Sequence, residues 1–332
     1  MKLRPEKISS LKLSSLDIEN GLEAAGANNK YQIFILFIFF FVKIVTDSFY
    51  CPLPYFLMNP NIKCQENYKE KYTNCDMNKV CFINNIIDNN INSYSNNNNN
   101  NNNNNNLSKK PNFPQKINFL LNEEKPKNTF INYFDIYCDT IKIGLIASSA
   151  SIGNLLSNLI SPFFTDIFGR INTIKYTLIL DIILKLSLFY INEFNYLLLN
   201  LSLINITNNL IYFSACLYIN EMVSSSHRGI YSCLFNGFFG ISGICFTIVF
   251  FWSYDWFYVN LFSLISSIIS FVLIYFLLYE SLRFYNLHTE NLKIFEVLEN
   301  IAQINEKEKE YENWVNEILN KNGLNAICDI NN

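Results

Sequence analysis

Ten charged residues are the groups in this sequence best placed to do work. Lys43 and Asp47 stand four apart inside one apolar run, and Asp181 and Lys185 do the same in another, so each couple falls on one helix face and can pair. Asp166, Arg170, Glu221, Arg228, Glu280 and Arg283 sit where apolar runs give way to polar sequence. Such groups bind, pair and exchange partners. Bond-making chemistry, by contrast, lacks its usual constellations. The chain has 2 His, His227 and His288, both flanking apolar runs. It carries no Gly-rich phosphate loop, H-E-x-x-H or nucleophile elbow. Its cysteines are too scattered for a zinc site. The sequence predicts no enzyme, no metal and no cofactor.

The elements that must position these charges are apolar blocks. Half of the 332 residues are hydrophobic (50%), 30 are Phe, and only 16% are charged. The apolar residues cluster in long runs, the signature of a chain whose solvent is lipid. The net charge of −3 gives no support to nucleic-acid binding. Six runs read as transmembrane helices: 31–49, 141–164, 174–190, 196–219, 229–252 and 257–278. The second is the clearest, about 23 residues and long enough to cross the hydrocarbon core. It carries Gly144, Ala147, Ser148, Ser149, Ala150 and Gly153 for close helix approach, and ends in a polar turn, Thr165 to Arg170. Gly237, Gly240 and Gly243 form a similar stripe on the fifth. The fourth is unusually polar, with Asn200, Ser202, Asn205, Thr207, Asn208 and Asn209, and is expected to face a polar cavity.

Charges inside spans are costly and usually face a bundle interior or water. Lys43 and Asp47 lie near the end of the first span, so a buried role and reach to the interface are both open. Asp181 and Lys185 read as a structural pair facing a neighbouring helix, with a transport role as the sharper alternative. Lys43, Asp47, Asn205 and Asn209 are the candidate cavity residues.

Residues 1–30 form a polar tail and residues 50–140 a long polar loop. The loop holds Cys51, Cys64, Cys75, Cys81 and Cys138, disulfide candidates whose odd number leaves at least one unpaired. Its unbroken Asn run, 96–106, cannot bury apolar surface and is expected to be disordered. Asn106-Leu107-Ser108 is a glycosylation sequon. Residues 279–332 carry two apolar stripes at helical spacing and read as amphipathic helices.

Several motifs resemble the major facilitator superfamily, in its organic cation/anion transporter branch related to the sugar porters. Asp166-x-x-Gly169-Arg170 resembles the turn between helices 2 and 3. Glu221 with Arg228-Gly229 resembles the E-x6-R-G between helices 4 and 5. Asp255-Trp256 matches a D-W at the next turn, and Tyr279-Glu280-Ser281-Leu282-Arg283-Phe284 resembles the P-E-S-P-R-[WF] that closes helix 6. Gly21 to Gln32, the Cys-bearing first loop and the Asp135–Asp139 run resemble that branch as well. The resemblance implies an all-α membrane protein, the N-terminal six-helix half of a twelve-helix fold. It implies alternating-access transport of a small organic solute, an organic ion or a sugar-like molecule. The six charges at span ends would then form a gating network that closes and opens one side.

Charge asymmetry gives the orientation. Arg170, Lys175, Arg228, Arg283 and Lys293 fall on the side of residues 1–30, while the opposite short turns carry Glu193 and Asp255. This positive-inside pattern puts both termini in the cytosol and the Cys-bearing loop outside; the expected location is the plasma membrane, as a multi-pass protein. The expected partners are the lipid bilayer and a small organic solute. Six helices of an expected twelve imply continuation past Asn332 or self-association of two chains. The rival reading is a non-transporting membrane anchor whose outer loop binds a partner.

Overall fold

Ser14 starts the first helix. Its hydroxyl accepts from Asp17 N (3.2 Å) and the Asp17 carboxylate accepts from Ser14 N (3.0 Å), which closes a capping box. Helix α1, Ser15–Ala24, therefore stands inside the stretch that reads as a polar tail. The computed structural model describes residues 13–26, 28–58, 62–65, 72–75, 119–121, 128–136 and 139–321. Helices α2 (Lys30–Thr46) and α3 (Leu53–Phe56) follow α1. A small antiparallel sheet, absent from the all-α expectation, comes next in the order β2-β1-β3: β1 Ile62–Gln65, β2 Tyr72–Cys75 and β3 Phe119–Leu121. Cys64 pairs in register with Thr73, and Ile62 with Cys75. Cys81, Cys138, Asn106 and the Asn run lie outside the described residues, as do the side chains of Cys64 and Cys75.

After α4 (Phe130–Tyr133), five long helices form the bundle with α2: α5 Thr140–Phe168, α6 Arg170–Leu188, α7 Phe194–Met222, α8 Arg228–Ser253 and α9 Trp256–Leu277. Three short helices complete the chain: α10 Leu282–Leu287, α11 Asn291–Ile304 and α12 Glu308–Lys321. Polar α7 is central, packing against α5, α6, α2 and α8.

The bundle has an apolar core, and its outer faces are apolar as well. Ser149, Ser157, Ser161 and Thr165 of α5 are buried, while Leu155, Leu159, Phe163 and Ile167 are each more than 60% exposed. On α8, Ile244, Ile248 and Trp252 point outward in the same way. Such continuous apolar faces suit lipid. Among the described residues three helices, α5, α8 and α9, are long and apolar enough to cross a membrane. By that measure α2, with 17 residues, is too short, and α7 carries too many amides.

Two expectations change. The polar turn at 165–170 shrinks to one residue: α5 runs to Phe168, α6 begins at Arg170, and Gly169 alone turns the chain at φ +92°. A Cβ there would come 2.7 Å from Glu280 Oε2, so glycine is required by both conformation and space. The α8 stripe is the second change. Gly237 and Gly240 have nothing within 4 Å of a Cβ position, and Gly243 meets only Cys51 Sγ at 3.7 Å. A three-residue spacing defines a face but not what covers it. Of the small residues on α5, Gly153 makes the close approach: a Cβ would lie 2.3 Å from Ser202 O on α7.

The two ends of the chain strap together. Trp314 of α12 covers Gly21 of α1, where a Cβ would come within 2.6 Å of the indole. Lys321 Nζ reaches Asp17 Oδ1 at 2.8 Å, and Asn305 binds the α1–α2 corner through Tyr31 N, Ala25 O and Gly26 O, each at 2.9 Å. Burial pushes the Asp17 carboxyl up, but hydrogen bonds from Lys321 and Ser14 outweigh it and hold the group below its ordinary value. A depressed carboxyl stabilises above its unfolded pKa and loses that contribution as pH falls through the folded one.

Two outcomes follow. Gly153→Ala is expected to cost about 2 kcal/mol by overpacking, whereas Gly237→Ala stays within about 0.5 kcal/mol; equal melting temperatures in detergent would refute the α5–α7 contact. Amide protection of Ser15–Ala24, corrected for intrinsic exchange, should hold at neutral pH and fall below about pH 4. Asp17→Asn should remove that acid step.

Candidate functional site

At the end of the bundle that holds the strap, Arg170 opens α6 with its guanidinium turned inward. Its Nη2 meets Glu221 Oε1 of α7 at 3.0 Å and Asp166 Oδ1 of α5 at 3.3 Å. The side chains of Arg170 and Glu221 are only 6% and 5% exposed, against 65% for Asp166. The Arg170–Glu221 bridge is therefore the buried tie and Asp166 its solvent-facing branch. Breaking a buried pair on one side costs about 3–5 kcal/mol because the remaining charge stays desolvated.

Glu280 does something the sequence does not announce. It accepts backbone N–H groups from Arg170 (2.8 Å), Ile171 (3.1 Å) and Asn172 (3.1 Å), so its carboxylate caps the N-terminus of α6. A carboxylate satisfies the orphan donors there and complements the helix dipole. Arg228 pairs with Glu19 of α1 at 3.3 Å, and Glu19 also accepts from Ser225 N at 3.0 Å. Glu19 was not among the residues singled out from sequence, because its helix was not recognised. Arg283 makes no ion pair among the described residues; it lines a narrow gap of about 40 Å³ with Glu19, Glu221 and Arg228. The six charges thus gather at one end, as one triad, one helix cap and two flanking arginines.

Deeper in the bundle, Lys43 and Asp47 pair at 2.8 Å with side chains 8% and 6% exposed. They border a cleft of about 210 Å³ with Thr46, Tyr50, Asn154, Asn208, Asn209, Tyr212 and Phe239. Lys43 Nζ lies 4.7 Å from the Tyr212 ring centroid and 5.5 Å from that of Phe239, in reach of cation–π attraction. Asp47 Oδ2 accepts from Ser242 Oγ at 2.7 Å. Asn209 donates to Asn158 Oδ1 at 2.7 Å. Asn205 stands apart: its amide donates to Leu201 O at 2.8 Å, and its Cβ faces Gly153. Asn154, Asn208, Tyr212 and Phe239 join the cleft without having been chosen from sequence. Asn208 and Tyr212 share a helical face with Asn205, and that spacing was the available signal. Cys51 is a half-buried thiol with Sγ 3.8 Å from Ser242 Oγ, beside the cleft.

The arrangement offers a wet, hydrogen-bonding recess with aromatic walls inside an apolar-skinned bundle. Residues 77–326 match the sugar (and other) transporter family. The chain belongs to that family. Members of this transporter family lie within the major facilitator superfamily and are membrane transporters rather than enzymes. No curated protein matches the chain significantly. The match covers the end network from Asp166 onward, while Lys43 and Asp47 precede it.

The cap separates two accounts of Glu280. If it serves the helix terminus, Glu280→Gln should cost about 1–2 kcal/mol and Glu280→Ala more, because the amide oxygen still accepts part of the donor set. Comparable losses from both substitutions, read as melting temperature in detergent, would assign Glu280 to an ionic role instead.

Proposed function

We propose that this chain moves a small organic solute, sugar-like or an organic ion, across a membrane by alternating access. In this reading the six long helices all span the bilayer and form the N-terminal half of a major facilitator fold of the organic cation/anion-like branch. Residues 1–30 and the helices after α9 lie in the cytosol of a plasma-membrane protein. The loop with Cys64, Cys75, Cys81, Cys138 and Asn106 lies outside, open to disulfide formation and glycosylation.

One observation carries the reading. The recess lined by Lys43, Asp47, Asn208, Asn209 and Tyr212 is the polar cleft of a bundle whose outer faces are apolar. Amides and a neutral ion pair can exchange hydrogen bonds with a solute, and the rings of Tyr212 and Phe239 can stack on it. The end network supplies the other requirement. Arg170, Glu221 and Asp166 tie α5, α6 and α7 together by contacts that water can replace when that side opens.

Cells displaying the chain at their surface should accumulate at least one of a panel of radiolabelled sugars, organic cations and organic anions. Asn209→Leu and Tyr212→Ala should reduce that uptake by about tenfold through KM. Intact surface display with no flux of any solute would overturn transport and favour an anchoring role.

A further inference from the structure

The second buried pair has no place in the cleft, yet it is wired to it. Asp181 and Lys185 of α6 meet at 2.7 Å with side chains 0% and 1% exposed. Every oxygen of that carboxylate is used. Oδ2 accepts from Lys185 and from Ser267 Oγ of α9 (2.8 Å), and Oδ1 accepts from Thr207 Oγ1 of α7 (3.3 Å). Lys185 also donates to Ser267 Oγ at 3.0 Å, and its backbone oxygen accepts from Asn260 at 3.1 Å. No other charged side chain touches the pair from α7 or α9.

Asn208 bridges from this cluster to the cleft wall. One orientation of its amide satisfies its neighbours: the nitrogen donates to Asp181 Oδ1 and to Val45 O, each at 3.2 Å, and the oxygen accepts from Ser48 Oγ at 3.2 Å. Turned the other way, the amide oxygen would face the Asp181 carboxylate, acceptor against acceptor. The buried pair therefore dictates which way Asn208 points. Asn208 in turn grips Val45 O and Ser48 Oγ, the two residues that bracket Thr46 and Asp47 in the final turn of α2. Ser48 N donates to Val45 O and Cys51 N to Asp47 O, so this turn continues directly into Cys51.

We propose that Asn208 is the positioning residue of the cleft, and that the Asp181–Lys185 pair acts through it to fix the α2 terminus carrying Asp47. The sites are joined in series, so breaking either link should release the same turn. This inference rests on the transport reading only for its second readout below.

The test uses the full-length chain in membranes. Asp181→Leu/Lys185→Met removes both charges together and leaves none unpaired. Asn208→Leu removes the bridge. Cys51, 3.8 Å from Ser242 Oγ, reports on the turn through its rate of alkylation by N-ethylmaleimide, followed by peptide mass spectrometry. Both variants should speed Cys51 labelling by about fivefold, and the triple variant should label no faster than either, the non-additivity expected of coupled groups. Cys233, an exposed thiol on α8, should label at an unchanged rate. For radiolabelled D-glucose, if the chain carries it, KM should rise about tenfold in both variants with kcat within about twofold. Unchanged Cys51 labelling in the charge-free variant, or rates that multiply in the triple variant, would overturn the relay. Absence of glucose flux in the parent chain would count against that substrate alone, since Cys51 labelling decides the relay without it.

Discussion

A charge buried away from water must find a partner inside the protein, and this constraint organises the molecule. Lys43, Asp47, Arg170, Asp181, Lys185 and Glu221 all have side chains less than 10% exposed, and each has an opposite charge within 3.0 Å. A pair broken without water leaves both charges desolvated, so Arg170–Glu221 holds α6 to α7 for as long as that end stays closed to water. The pairs are neutral in sum. Two of them lie within one helix, α2 or α6, and reach the neighbouring helices through Ser242, Ser267 and Thr207, while the third ties α6 to α7 directly.

The same constraint explains the polarity of α7. A helix with Asn200, Asn205, Thr207, Asn208 and Asn209 would be a poor lipid-facing span, and the bundle surrounds it with α5, α6, α2 and α8. Its amides find carbonyls and carboxylates on those neighbours: Leu184 O, Asn154 O and the Asp181 carboxylate. Apolar residues such as Ile38, Phe39, Ile211 and Phe246 still fill the interior, and further apolar residues cover the outer faces of α5 and α8. Pro162 lies inside α5, which runs through it without a break, and Thr165 Oγ1 donates to Ser161 O and Pro162 O at 3.0 and 2.9 Å beside it. Polar groups thus face protein, whereas apolar groups serve both the core and the outer faces.

Part of this could be read from the sequence, and part depended on geometry that spacing does not encode. Lys43–Asp47 and Asp181–Lys185 announce themselves, because residues four apart on a helix are neighbours whatever surrounds them. Arg170 and Glu221 were legible as charges at the ends of apolar runs, but their mutual bond required the packing of α6 on α7. Glu280 carries the same label in sequence and performs a different task, since capping α6 depends on Gly169 turning the chain back beneath it. Of the small residues expected to let helices approach, Gly153 makes the contact and the α8 stripe does not, because a stripe specifies a face and not its neighbour. The capping box at Ser14 and Asp17 was present in the sequence and overlooked, hidden by the polar composition around it. Asn205 and Asn208 lie only about 60° apart on one face of α7, yet one meets Gly153 of α5 and the other the Asp181 carboxylate, a difference that spacing alone does not give.

The cleft also limits what could occupy it. Its two charges, Lys43 and Asp47, are bonded to each other, so a solute with net charge must displace one and leave the other desolvated. A neutral hydrogen-bonding solute, or one carrying both signs, avoids that penalty of about 3–5 kcal/mol. Aromatic faces beside Lys43 soften the cost in one direction only, because they stabilise the ammonium when Asp47 turns away and offer nothing to an unpaired carboxylate. A cationic solute drawn to Asp47 would therefore meet less resistance than an anion drawn to Lys43. The physics of one ion pair ranks neutral solutes first, cations second and anions last.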